Sequence, residues 1–389
     1  MKVSLVSSTL SYNPMIRVYP FATFLQERFD TQLIGPVDTP GIYAPLRAEP
    51  LNYAPVRERK IFPFYLQTCR DIYNRIDGEV IHAFKTKLYS FGISLLKRRR
   101  HGQKVILDID DWDSQYVYDN YFGYAPHKLA PFLLADGYIP EGYFSKKLLE
   151  KISSRADAII VDSFALQRMF GGTYIPPGAD TDAFDPEKIS GTAIRERYGI
   201  EKGDVLVSFL GNPRRHKGIP DLLRAFLLAK QECEQLKLLI VGVDDTHPAQ
   251  AYRRYIQQLR KVKGVLLEGF RPHEEMPAYL AASDICPIPS RKSPSSAVQM
   301  PYKIFEIMAM GKAIVASDLA DMRIALEKAG TVIPPGDVPQ LKEALLAYAW
   351  NPRLRRQHGQ TARKRCVKDY SWRVMKQRTF EVYDSLGLG

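Results

Sequence analysis

The sequence predicts an α/β protein made of two doubly wound, Rossmann-like domains with parallel sheets. Three observations lead there. Short β-branched runs bounded by turn residues recur along the chain, and they are near-continuously apolar rather than alternating, as strands buried on both faces are. Amphipathic segments with helical spacing lie between them, and strands that alternate with helices form parallel sheets. The series also occurs twice, in a chain of 389 residues that is too long for one ordinary core.

Taken in order, the first series of strands is "KVSLVSS", "EVIHAF", "KVILDID" and "AIIVDS". Residues 173–204, rich in Pro, Gly and Asp, read as an interdomain linker. The second series is "VLVSFLG", "LKLLIVG", "GVLLEGF", "DICPIPS" and "AIVAS". Between these strands, Ile219, Leu222, Leu223, Phe226 and Leu227 share one helical face, as do Leu341, Ala344, Leu345 and Tyr348. Two such domains facing each other gather both sets of strand C-termini on one cleft, where ligands of these sheets bind.

Composition narrows the class. Hydrophobic residues at 45% and charged residues at 25% fit an ordinary globular protein and argue against disordered or collagen-like chains. The four cysteines have neither zinc-ligand spacing nor the density of a disulfide framework, which favours a reducing compartment. The apolar start is too short for a signal peptide, and no run approaches a membrane span, so a cytoplasmic location is expected. The net charge of +12 is uneven: residues 351–378 hold ten Lys or Arg against Asp369 alone, and Lys97 to His101 form a second knot. Such clusters suit a polyanion, an anionic membrane surface or plain solvation. No nucleic-acid motif accompanies them.

Two segments can carry chemistry. In residues 207–226 a strand ends at Gly211, and Arg214, Arg215, His216 and Lys217 lead through Gly218 into a helix. Glycine permits close backbone approach, a helix N-terminus favours an anion, and the cations oppose its charge, so the loop reads as a diphosphate clamp. A basic loop by itself fits surface charge equally well. In residues 293–317 a Ser/Pro loop precedes a helix carrying Lys303 and Glu306, and Glu306 can accept from a ribose diol.

These stretches give the chain a specific resemblance. "YIPPGADTDAF" (174–184), the glycine-lysine loop (211–225), "LLIVG" (238–242), "VLLEGF…MPAYLAASDICPIPS" (265–290), "PYKIFEIMAMGKAIVAS" (301–317) and "DYSW" (369–372) resemble, in order, the retaining glycosyltransferases of family 4. The resemblance implies the GT-B architecture and transfer of a sugar from a nucleotide diphosphate sugar, of UDP or GDP type, to an acceptor hydroxyl. It implies an acceptor-binding domain over residues 1–185, a donor-binding domain over 190–365 and a helix in 366–389 crossing back to the first. Lys217 then meets the diphosphate, with Arg215 beside it, and both stabilise the leaving group. Gly211, Arg214, Lys303 and Glu306 complete the donor site, and Phe270 lies in the stretch that contacts the base.

Three departures stand out. Asn212 occupies the place where the family often has Arg, leaving that charge to Arg214 or Arg215. Eight residues before Glu306 stands Val298 rather than a glutamate, with Gln299 adjacent as the remaining donor-side candidate. In the first domain no Gly-Gly loop follows strand one; Arg17 is the remaining polar contact, and Asp110 falls near the family's usual histidine.

The "DID" of Asp108 and Asp110 also fits a metal-binding signature, but alternate strand residues group Asp108 with Asp110 and separate Asp111, which disfavours Mg²⁺ or Mn²⁺. Asp110 and Asp111 are instead expected to orient the acceptor. Trp112, Tyr116, Tyr118, Tyr121, Phe122 and Tyr124 follow, either as core and lid packing or as a sugar or lipid platform, with Tyr116 the acceptor candidate. His82 is expected to be structural. The resulting expectation is a retaining hexosyltransferase of glycan or glycolipid synthesis with no required metal, possessing a glycan, lipid-linked or small-molecule acceptor and an electrostatic affinity for anionic membranes. The alternatives are a nucleotide-sugar epimerase and a non-catalytic sugar-nucleotide-binding protein.

Overall fold

A computed structural model describes residues 1–39, 41–121, 136, 139–245 and 250–388. The chain forms two compact units, the first from residues 1–176, 293–300 and 375–389, the second from 177–292 and 301–374.

The first unit contains a seven-stranded parallel sheet of β1 (Lys2–Val6), β2 (Asp30–Val37), β3 (Tyr53–Arg57), β4 (Val80–Phe84), β5 (Lys104–Ile109), β6 (Ala158–Val161) and β7 (Thr173–Tyr174), in the order β3-β2-β1-β4-β5-β6-β7. The second contains six parallel strands, β8 (Val205–Leu210), β9 (Leu236–Val243), β10 (Val265–Gly269), β11 (Ile285–Ile288), β12 (Ala313–Ser317) and β13 (Thr331–Ile333), ordered β10-β9-β8-β11-β12-β13. Both units are therefore doubly wound. The order reverses between β1 and β4 and between β8 and β11, and the crevice beyond the strand C-termini at such a point is where these folds bind ligands.

All nine expected strands are present, and four more join them. β2 ends in Gly35, Pro36 and Val37, and β3 has Pro55 at its centre, which masks a strand pattern because proline cannot donate to the ladder. β3 tolerates it as the edge strand. β7 and β13, with two and three residues, are too short to show a period. The stretch read as linker holds β7 and the short helix Thr192–Arg197.

Apolar strand residues supply the cores. In the second unit Val207, Phe209, Leu238 and Ile240 pack with Ile219, Leu222 and Phe226 of the helix Ile219–Glu232. In the first, Val6, Ile34, Ile81 and Leu107 pack with Tyr89 and Phe91. Two late segments complete this unit. Val298 joins its core and accepts at its carbonyl from Ser163 Oγ at 2.7 Å. From the helix Trp372–Ser385, the Tyr383 ring stacks on Phe29 at 5.3 Å and its hydroxyl lies 3.0 Å from His82 Nδ1. Burial pushes the His82 imidazole down to about 3, so it is a neutral packing residue.

Much of the basic surplus is absorbed by structure. Arg363 donates to the carbonyls of Thr181 and Phe184, Arg365 to Ile324 and Ala325, Arg355 to Tyr348, and Lys376 pairs with Glu27. Within the Lys97 to His101 knot, Lys97 donates to the Tyr73 carbonyl and Arg98 pairs with Asp157. No helix among the described residues is long and apolar enough to cross a membrane.

Candidate functional site

In the second unit the chain leaves β8 at Gly211, at the reversal of strand order, and turns through Arg215–Lys217 into the helix that begins at Ile219. Gly218 makes that turn with φ of 74°, and a Cβ there would lie 1.7 Å from the Pro289 carbonyl oxygen, so only glycine fits. Arg291 fastens the loop: its guanidinium is bidentate to Asp221 at 2.7 Å for each contact, and its amide donates to the His216 carbonyl.

This loop faces Lys303, from the helix Lys303–Ala309. A Cβ at Gly211 would stand 3.8 Å from Lys217 Nζ and 3.9 Å from Lys303 Nζ, so two ammonium groups flank the glycine. Lys303 donates to the Leu210 carbonyl at 3.2 Å and lies 3.9 Å from the centre of the Phe209 ring. Burial, then the neighbouring Arg214, pulls the Lys217 ammonium down to about 8. Burial and Lys217 pull Lys303 well below the ordinary lysine value. Partial desolvation, then Lys217 and Arg214, pull the His216 imidazole down to about 4 although the residue reaches solvent. Among the described residues no carboxylate pairs with Lys217 or Lys303, and such a concentration of desolvated positive charge favours an anion.

Of the other donor-side candidates, Arg214 is exposed on the same loop and Arg215 lies 5.9 Å from the Tyr255 ring. Phe270 follows β10 and is 68% exposed, the most of any large apolar side chain described. Glu306, one helical turn from Lys303, has its Oε1 2.8 Å from His273 Nε2. The Glu306 carboxylate raises the His273 pKa against the effect of burial. Gln299 belongs to the first unit, where its amide donates to Asp111.

The first unit gathers a second polar group beyond β4, β5 and β6. Arg17 is buried and bidentate to Asp108, at 3.0 and 2.9 Å, and it donates to the Ile175 carbonyl. The expected grouping of Asp108 with Asp110 does not occur. β5 ends at Ile109, so Asp110 and Asp111 leave the alternation together and both meet the Lys85 ammonium, Asp110 at 2.6 Å. With Asp108 committed to Arg17 and Asp110 to Lys85, no metal-ligating group of three converges among the described residues.

Burial disfavours the Lys85 ammonium, but Asp110, Asp111 and Asp113 outweigh it and hold its pKa well above the ordinary value. Burial raises Asp111 to about 6 against the pull of Lys85. Asp162, just past β6, is fully buried with no hydrogen-bond partner on either oxygen among the described residues, and burial raises its pKa well above the ordinary carboxylate value. Tyr116 is exposed on the helix Asp113–Tyr121. Phe122 and Tyr124 lie outside the described residues.

Sequence reasoning missed Lys85, Asp162 and His273. Lys85 was detectable: it is the first residue after "VIHAF", at the order reversal of its sheet. His273 carries no local signal, because its partner is 33 residues away.

The model of the glycosyl transferases group 1 family matches residues 204–350. The GDP-mannose-dependent alpha-(1-6)-phosphatidylinositol monomannoside mannosyltransferase of Mycolicibacterium smegmatis is 26% identical over 61% of this chain and 65% of its own length. The D-inositol 3-phosphate glycosyltransferase of Corynebacterium jeikeium is 28% identical over 65% of this chain and 63% of its own. The chain thus spans less than two thirds of either relative. Among solved structures, sucrose-phosphate synthase from Thermosynechococcus elongatus aligns with a TM-score of 0.73 at 19% identity over 99% of each chain. Anabaena HepE in complex with UDP and glucose aligns at 0.72 with 17% identity, over 99% of each. These neighbours have the GT-B fold, and this chain shares it.

Proposed function

Because the chain belongs, through residues 204–350, to the group 1 glycosyltransferases, we propose that it moves a sugar from a nucleoside diphosphate sugar to an acceptor hydroxyl with retention of configuration. The observation that carries this reading is the pair of desolvated ammonium groups, Lys217 and Lys303, flanking Gly211 without an acid partner among the described residues.

In this reading the second unit binds the donor. Its diphosphate lies along Gly211 with Lys217, Lys303, Arg214 and Arg215 around it, the base rests against Phe270, and Glu306 accepts from the ribose hydroxyls. As the bond from the anomeric carbon to phosphate breaks, the diphosphate gains charge that the cations stabilise more than they stabilise the ground state. The acceptor oxygen bonds to the same face, and its proton passes to the departing phosphate oxygen.

The first unit binds the acceptor. Asp110 and Asp111, held by Lys85, orient its hydroxyl, and Tyr116 offers a ring face. Arg17 acts through Asp108, since its guanidinium is buried against that carboxylate. Gln299 acts through Asp111. Relatives named for inositol and phosphatidylinositol substrates support a polyol or lipid-linked acceptor, reached at the cytoplasmic face of an anionic membrane. The GDP-dependent relative and the UDP-bound neighbour support a donor of GDP or UDP type.

Thermal-shift measurements with UDP, GDP, ADP and their sugars test the reading, since a ligand at 100 times its dissociation constant adds about 2.7 kcal/mol. Slow hydrolysis of one nucleotide sugar is the expected result. An isomeric nucleotide sugar identifies an epimerase instead, and tight binding without turnover identifies a sensor.

A further inference from the structure

One apolar surface of the first unit has no part in this chemistry. Past the C-terminal end of β3 the chain makes a turn that leads into the helix Tyr65–Arg75. Ile61 is 63% exposed, Phe64 57% and Leu66 49%. The turn is fastened: the Tyr65 amide donates to the Ile61 carbonyl at 3.1 Å and Leu66 to Pro63 at 3.0 Å. At its base the Arg59 amide donates to Thr68 Oγ1 at 3.0 Å, and the Tyr89 hydroxyl to the Arg59 carbonyl at 2.8 Å. Bulky apolar groups are thus presented outward by an ordered element.

We propose that this turn is a wedge that enters the interfacial zone of an anionic bilayer, an inference that rests on the membrane-side acceptor reading above. Charge singles out the lipid. Residues 57–70 contain Arg57, Arg59, Lys60 and Arg70 against Glu58 alone. Arg59 is matched by Asp71 and Lys60 by Asp38 and Glu58, while Arg57 and Arg70 are exposed on either side of the turn with no ion pair among the described residues. Anionic headgroups complement that frame, and an apolar tip between cations is the composition of an interfacial anchor. A second copy of the chain would bring the same cations against them.

Position supports the same partner. The turn leaves the strand-end edge of the sheet from which Lys85 and Asp110 also emerge, after β4 and β5. Four strand spacings, about 19 Å, separate β3 from β5 along the sheet, so the turn and the Asp110 cluster lie on one strand-end edge. The Lys97 to His101 knot is at the opposite edge, since the helix Ile93–His101 ends where β5 begins, and Lys97 and Arg98 are already engaged. Attachment through the wedge therefore has an apolar component that attachment through basic clusters lacks.

The experiment is sedimentation of the full chain with phosphatidylcholine vesicles containing about 30% phosphatidylglycerol, at low and high salt, with nucleoside diphosphate binding measured in parallel. Wild type should sediment at low salt and keep a measurable bound fraction at high salt, because screening leaves apolar insertion intact. Ile61→Ser with Phe64→Ser should lower vesicle affinity about tenfold or more at both salts with nucleotide binding unchanged, whereas Arg98→Glu with Arg99→Glu should have little effect. Wild-type affinity in the serine variant overturns the wedge, as does indifference of the wild type to anionic vesicles. A concentration-dependent dimer abolished by the same substitutions, without vesicle binding, assigns the turn to self-association and also overturns it. Vesicle binding without nucleotide binding leaves the wedge standing and removes the transferase reading.

Discussion

Replacing Lys217 by methionine separates the stability of the empty protein from its affinity for a donor. The Gly211 geometry puts the Lys217 and Lys303 ammonium groups no more than about 8 Å apart, and at an effective dielectric of 20 their repulsion is about 2 kcal/mol. The fall in the Lys217 pKa from 10.5 to about 8, caused first by burial and then by Arg214, is worth roughly 3 kcal/mol. Lys217→Met deletes that cost and keeps the apolar stem, so the empty protein should be as stable as wild type or up to about 2 kcal/mol more stable at pH 7 in urea unfolding. The sign with pH is also set. The folded pKa lies below the unfolded one, so the penalty is full below about 8 and fades as pH climbs towards 10.5. Wild type should gain stability over that window, and the variant should not gain this share. Nucleoside diphosphate affinity, by titration calorimetry, should fall about a hundredfold through loss of a charge-assisted contact and its Coulomb attraction. A variant destabilised by more than about 1 kcal/mol, or one binding within about fivefold of wild type, refutes the reasoning.

Other substitutions probe the remaining groups. Glu306→Gln should weaken nucleotide affinity by about 1 to 3 kcal/mol, the cost of a charge-assisted hydrogen bond, and calorimetry reads it directly. The His273 pKa is raised by Glu306, so the pair is fully formed below the unfolded histidine value and is lost as pH rises through the folded one. Nucleotide affinity should therefore improve from about pH 6 to pH 8 as Glu306 is released, and His273→Ala should flatten that profile. Lys85→Met removes the buried ammonium that Asp110 and Asp111 share and should cost about 3 to 5 kcal/mol in chemical unfolding, partly recovered by adding Asp110→Asn. Gly218→Ala forces a Cβ onto the Pro289 carbonyl and should abolish nucleotide binding in any protein that still folds.

The strands that sequence made visible are those whose burial on both faces leaves an unbroken apolar run, such as β5, β8 and β9. β3 escaped because an edge strand buries alternate residues and admits Pro55. The cation cluster around Gly211 was legible for a related reason: Gly211, Lys217 and Gly218 lie within one turn after a strand, where chain order and spatial order coincide. The carboxylate cluster was legible only in part. Strand alternation paired the wrong aspartates because β5 stops one residue before Asp110, and a strand end is the feature that periodicity fixes least well. Gln299 and His273 take partners 188 and 33 residues away, and no local pattern encodes such contacts.

The division of the chain among its two units has a consequence for its synthesis. By the time residue 176 has been made, all seven strands of the first sheet exist, yet that unit lacks two pieces still to come. Residues 293–300 bring the Val298 side chain, and residues 375–389 bring the Tyr383 ring that lies against Phe29 and His82. A nascent first unit must therefore wait on the ribosome with the seats for both pieces open, while most of the second unit is translated and able to fold. The unit whose strands are translated first is thus completed after the other, and a chain cut before the helix Trp372–Ser385 leaves an aromatic gap beside Phe29 and His82.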